Sequence, residues 1–172
     1  GEIGASALGN AAQAAGAYAT AVGTESTAEG QQALAGGFRA IASGDGATAT
    51  GSYSEATGFL STALGYGAEA SGNNTTAVGV SAVASGLNAI AVGNGASASG
   101  STSLAAGSTS RATGLNSTAL GGSAWATADN TTSVGPLAWA TAVGPTAGGR
   151  DSHAYAQNAP AAGLSAWAHG RS

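Results

Sequence analysis

The chain has 172 residues, of which Gly supplies 30, and only 7% are charged. Most of its 43% hydrophobic content is Ala, so a conventional core of Leu, Ile and Phe is excluded. There is no Lys or Cys and the net charge is −4, which excludes a basic nucleic-acid surface and a disulfide framework.

Composition alone would also suit a Gly/Ser-rich linker, but the order of residues does not. From Gly9 onward a glycine recurs every seventh residue through Gly121, then at Gly135, Gly149, Gly163 and Gly170, with Ala128, Ala142 and Ala156 in the remaining slots. Two residues before each slot stands Ala, from Ala7 to Ala168, with Ser133 the one departure. Two before that stands Ala, Ser or Thr, from Ala5 to Ala166, with Pro145 the one departure. A linker has no reason to keep phase. Small residues alternate with variable ones, which is the period of a strand. The pairs that follow the slots, such as Asp45-Gly46, Asn73-Asn74, Asn94-Gly95 and Asp129-Asn130, carry turn chemistry. Each heptad therefore predicts about five residues of strand and two of turn.

The heptads come in two kinds. The residue before Gly is Leu8, Val22, Leu64, Val78, Val92, Leu120 or Val134 in most of one set, and Glu29, Ser43, Thr57, Ser71, Ser85, Ser99 or Thr113 in most of the other. The true repeat is 14 residues, two strands and two turns, forming one coil. Twelve such coils stacked at ~4.8 Å give an all-β, single-stack parallel β-solenoid roughly 55–60 Å long. The whole of 1–172 is one domain, with regular coils over 3–121 and less regular, Trp-bearing coils over 122–172.

The small face must point inward, because two strands joined by two-residue turns leave room only for Gly, Ala, Ser and Thr. Charges support this. Glu25, Arg39, Asp45, Asp129, Arg150, Asp151 and Arg171 fall on turns, and Glu29, Glu55, Glu69 and Arg111 fall outward on the polar strand. None falls outward on the apolar strand, which leaves a charge-free strip of roughly 600 Å², at or above what a soluble monomer exposes. The strip predicts self-association through Val22, Leu64, Val78, Ile90, Val92, Leu104, Leu120 and Val134, since the Ala interior buries little area per residue and cyclic closure is the common solution for identical chains.

In the last coils, Trp125, Trp139, His153 and Trp167 are 14 apart and predict an outward ladder on the polar strand. Thr127, Thr141, Tyr155 and His169 run alongside. This ladder is the candidate ligand contact, or else a packing device at the less regular end.

The segments Leu87-Asn88-Ala89-Ile90-Ala91-Val92-Gly93, Thr75-Thr76-Ala77-Val78-Gly79 and Ser117-Thr118-Ala119-Leu120-Gly121 resemble the repeat of YadA-like heads of trimeric autotransporter adhesins. Ala82-Val83-Ala84-Ser85-Gly86 and Ala96-Ser97-Ala98-Ser99-Gly100 resemble its alternating partner. The resemblance implies a left-handed parallel β-roll, a homotrimer, display beyond a bacterial outer membrane, and attachment to a host matrix protein, cell-surface receptor or glycan. With no initiator Met or signal pattern, the chain reads as part of a longer exported protein, itself without membrane insertion, since no apolar run approaches ~20 residues.

Enzymatic chemistry finds little support. Glu55 and Glu69 stack in one column, but no sugar cleft surrounds them. His153 and His169 occupy different columns, which argues against a metal site, and nothing in the sequence calls for a cofactor. The Asn-x-Ser/Thr matches at Asn73, Asn74, Asn116 and Asn130 are turn composition. The rival reading is an ice-binding or purely structural solenoid, from the column Thr20, Thr48, Thr62, Thr76, Thr118, Thr132 and Thr146. Leu34, Ile90 and Leu104 interrupt that column.

Overall fold

Alternation of small inward and variable outward residues gives each heptad one strand, and the strands stack in two parallel sheets. The computed structural model describes residues 3–170; Glu2 and Arg171, with its expected turn position, lie outside the described residues. One 12-stranded sheet collects every first strand of a coil, and a second 12-stranded sheet collects every other one. Partners sit 14 residues apart throughout: Thr76 lies against Ile90 and Val78 against Val92 in the apolar sheet, and Trp125 lies against Trp139 in the polar sheet. The doubled heptad and the twelve coils are both present, in an all-β parallel solenoid.

The strands are shorter than the expected five residues. They span three residues in most of the apolar sheet, as in Thr76–Val78, and two in the polar sheet, as in Trp125–Ala126. The remainder of each heptad is corner. At the second residue of each turn the backbone is left-handed, even where the side chain is Arg39 (φ 54°), Tyr53 (φ 60°) or Leu60 (φ 51°). A β-turn with positive φ at its third residue is type II, which favours Gly or Asn there. Here the coil below holds the conformation: Arg39 N–H donates to Thr24 O at 3.0 Å and Tyr53 N–H to Phe38 O at 2.9 Å. The left-handed cost recurs in coil after coil and is offset by these bonds.

The interior is Ala, with the side chains of Ala21, Ala35, Ala49, Ala63, Ala77 and Ala91 fully enclosed. Inward Ser and Thr fit because the corner supplies an acceptor three residues back. Ser26, Ser54, Ser61, Thr75, Ser110 and Ser117 each donate a hydroxyl proton to the carbonyl of the preceding Gly slot at 2.7–2.9 Å. Ser103 Oγ is buried without a partner.

The Gly slots are of two physical kinds. At Gly93, in the corner after the apolar strand, φ is +136° and an added Cβ would lie 2.5 Å from Gly107 O. At Gly86, in the corner after the polar strand, φ is ordinary for an L-residue, but a Cβ would lie 2.0 Å from Gly100 O. Only close approach of the next coil demands Gly at the second kind. The three slots filled by Ala, at 128, 142 and 156, are all of that second kind.

Candidate binding surface

Because the two sheets share one interior, their outer faces point away from each other. The outer face of the apolar sheet carries Val22, Leu64, Ile90, Val92 and Val134, all exposed, with Val78, Leu104 and Leu120 half-buried beside them. The expected interface residues thus lie on one continuous face of the chain. The strip fades after Val134, where Gly148 and Ala162 take the same column.

On the opposite face the register brings Trp125, Trp139, His153 and Trp167 into one column, as their spacing predicts. The indoles of Trp125 and Trp139 are stacked, with centroids 4.9 Å apart and planes 7° apart. His153 continues the stack toward Trp167 at 4.7 Å and 17°. The neighbouring column adds Tyr155, and His169 stacks on Trp167 at 5.3 Å. His153 is the buried member of the ladder. Its Nδ1 meets the Tyr155 hydroxyl at 2.7 Å, and its Nε2 meets Asp151 Oδ1 at 3.2 Å. Both ring nitrogens are therefore engaged within the chain, and the described residues hold no group of three or more His, Cys, Asp or Glu placed to bind a metal.

Sequence reasoning missed what lies at the start of this ladder. The adjacent turn column runs Gly95, Thr109, Ser123, Leu137, and the ladder column runs Ser97, Arg111, Trp125, Trp139. Small residues in both columns give way within three coils to large ones. The step leaves a notch of about 430 Å³, lined by Gly95, Thr109, Arg111, Ser123, Trp125, Leu137 and Trp139, with Ser110 at its base. The Arg111 guanidinium carbon stands 5.8 Å from the Trp125 ring centroid. Trp139 Nε1 is enclosed and has no acceptor. A second aromatic group, also unforeseen, lies on the same corner in earlier coils, where Phe38, Tyr53 and Tyr66 meet edge to face at 5.3 and 5.7 Å. Arg39 lies over Phe38 and donates from Nε to Glu25 at 2.6 Å, and this bond raises the guanidinium pKa above its usual value.

The carboxylates of Glu55 and Glu69 are register neighbours on the polar sheet. Both are exposed.

The fold is thus a parallel β-solenoid with one charge-free apolar sheet face and one aromatic-bearing sheet face. The YadA head domain repeat family matches residues 3–26, 28–54, 56–82, 84–110 and 112–138, most of the chain, and the chain belongs to that family. From residue 28 onward, successive matches begin 28 residues apart, two coils at a time. Among solved structures, the collagen-binding domain of the Yersinia adhesin YadA is similar over 94% of this chain and 74% of its own, with 23% identity and a TM-score of 0.50. No curated protein matches the chain.

Proposed function

We propose that this chain is a non-catalytic adhesin head, displayed as a homotrimer outside a bacterial outer membrane and attaching to host matrix or cells. The whole of 1–172 would act as one head unit, a left-handed roll with the apolar sheet turned toward the three-fold axis. The observation that carries this reading is the opposition of the two faces. One is a sheet face without charge that water covers at a cost, and the other bears Glu29, Glu55, Glu69, Arg111 and the Trp ladder. Burying the first against copies of itself removes roughly 600 Å² of exposed strip per chain and leaves the second facing outward. Family membership supports the adhesin role. The collagen-binding description of the Yersinia domain makes a matrix protein the first class of ligand to test.

The ladder is the proposed contact surface. Its stacked rings present a rigid aromatic rim, and aromatic side chains concentrate binding energy at interfaces. Three copies per trimer would turn weak contacts into avid attachment. The test is the double substitution Trp125→Ser and Trp139→Ser, with adhesion to immobilised collagen and to cells measured beside melting and oligomeric state. Lost adhesion with an intact trimer is the expected result. Full adhesion with an intact trimer removes the ladder from the binding surface.

A further inference from the structure

We infer that the notch at the start of the ladder is a subsite for an acidic sugar, a pyranose bearing a carboxylate. This rests on the adhesin reading and names a ligand class for it.

The walls of the notch decide what it can hold. Its volume of about 430 Å³ falls in the range of small-ligand sites, roughly 300–1,000 Å³. The turn backbones beside it are already paired between coils. Thr109 N–H donates to Asn94 O at 2.8 Å, Ser123 N–H to Ser108 O at 2.8 Å, and Leu137 N–H to Gly122 O at 3.0 Å. There is no open strand edge here, so an extended peptide could not add to the sheet by main-chain hydrogen bonds. Recognition must come from side chains.

Those side chains are an indole surface, two hydroxyls and one guanidinium. Trp125 is exposed and ends the ring stack, and its other face is turned to the Arg111 guanidinium, whose carbon stands over the ring at 5.8 Å, so a sugar lying on this indole would take the place of the guanidinium and draw it to its carboxylate. The Thr109 hydroxyl donates to Ser108 O and lies 2.8 Å from the Ser123 hydroxyl, so the pair is left to accept hydrogen bonds from sugar hydroxyls. Arg111 is exposed and, among the described residues, has no carboxylate within ion-pair distance. On a chain of net charge −4, an unpaired guanidinium held beside an aromatic ring is out of keeping with its surroundings. A carboxylate is the partner whose planar geometry a guanidinium matches in two parallel bonds. A pyranose ring carries apolar C–H groups for the indole and hydroxyls for Thr109 and Ser123. An acidic sugar therefore uses all three kinds of group, whereas a neutral sugar leaves Arg111 unused and an acidic peptide side chain leaves the indole face unused.

The experiment is a titration of the 172-residue protein with sialyllactose, followed by tryptophan emission and by saturation-transfer NMR. Lactose and a short oligoglutamate serve as controls. Arg111→Gln and Trp125→Phe are titrated alongside, with melting recorded for each. The expected result is a saturable change with sialyllactose, at least tenfold weaker with lactose. Arg111→Gln should weaken sialyllactose binding roughly tenfold or more, as removal of a charged hydrogen-bond partner does, while melting stays unchanged. No saturable change with sialyllactose overturns the proposal, as does binding that Arg111→Gln leaves intact. Oligoglutamate binding as tightly as sialyllactose, and lost in Arg111→Gln, also overturns it, by assigning the notch to acidic peptides. None of these outcomes touches the adhesin reading, which fails if the wild-type protein adheres neither to immobilised collagen nor to cells.

Discussion

The coils before Gly121 and those after it follow one plan with different tolerances. From Gly16 to Gly100 each Gly of the polar corner donates a longer bond to a carbonyl of the coil above that already accepts from the preceding residue, as Gly86 does to Ala98 O at 3.4 Å and Gly100 to Ala112 O at 3.3 Å. At Gly114, Ala128 and Ala142 this bond lapses, leaving Thr127 and Thr141 to donate alone at 3.1 and 3.2 Å, and it returns at Ala156, which donates to Ala168 O at 3.2 Å. Pro145 occupies an inward position fully buried and has no N–H to close its turn. The enclosed Ala cluster that runs from Ala19 to Ala126 is followed by a separate one from Ala138 to Ala161. Between them sits Ser133, whose hydroxyl donates to Trp125 O at 2.6 Å. Over the same coils the apolar strip ends and the aromatic ladder begins. Inner packing and outer surface thus change together: where the backbone stack is less uniform, aromatic side chains stack on the outside.

The largest effect should separate the two ends of the apolar sheet. Val78→Glu would place three like charges at the proposed three-fold core and should cost several kcal/mol per buried charge. Ala162→Glu, in the same sheet beyond the strip, should leave the trimer assembled. Size-exclusion chromatography of both variants checks this, and equal behaviour would detach the strip from assembly.

Next come the two kinds of Gly slot. Gly93→Val combines positive φ with a backbone clash and should cost roughly 3–5 kcal/mol. Gly86→Ala faces only the clash and should cost about 1–3 kcal/mol, less than Gly93→Ala, because Ala already stands in three slots of its kind. Ser97→Val, outward on the polar strand, should change little. Thermal melts rank the set, and indistinguishable values for Gly93→Ala and Gly86→Ala would refute the distinction.

The ladder should matter to folding as well as to contact. Trp139→Ser removes a half-buried stacked ring and should lower stability by about 1–3 kcal/mol. Glu69→Ser, in the same column of the regular coils, should be neutral within ~0.5 kcal/mol. Denaturant unfolding of both variants decides whether the late coils lean on their rings.

The smallest expected difference lies inside the roll. Ser110→Ala loses a hydroxyl bond to Gly107 O and should cost about 1 kcal/mol. Ser103→Ala removes an unpartnered hydroxyl and should be neutral or mildly stabilising. A stabilised Ser110→Ala would show that the corner carbonyls do not need these donors.

Much of this architecture is legible in the residues themselves. The alternation of Val78 and Ser85 before successive glycines announces the two-strand coil, and the spacing of Trp125, Trp139 and His153 announces the ladder. Three features are not legible, each for a physical reason. Spacing cannot tell Gly93 from Gly86, since one is required by φ and the other by its neighbour's carbonyl. Left-handed Leu60 and Tyr53 contradict local turn preferences, because hydrogen bonds between coils override them. The notch depends on side-chain size in two adjacent columns at once, so neither the run Gly95, Thr109, Ser123 nor the run Ser97, Arg111, Trp125 reveals it alone.

The claim that everything else rests on is that the apolar sheet is covered by copies of the same chain. Sedimentation equilibrium of the wild-type protein tests it most directly. The account predicts a single species of three 15.9 kDa chains, stable on dilution. A 15.9 kDa monomer that stays folded and soluble at the same concentration would contradict it.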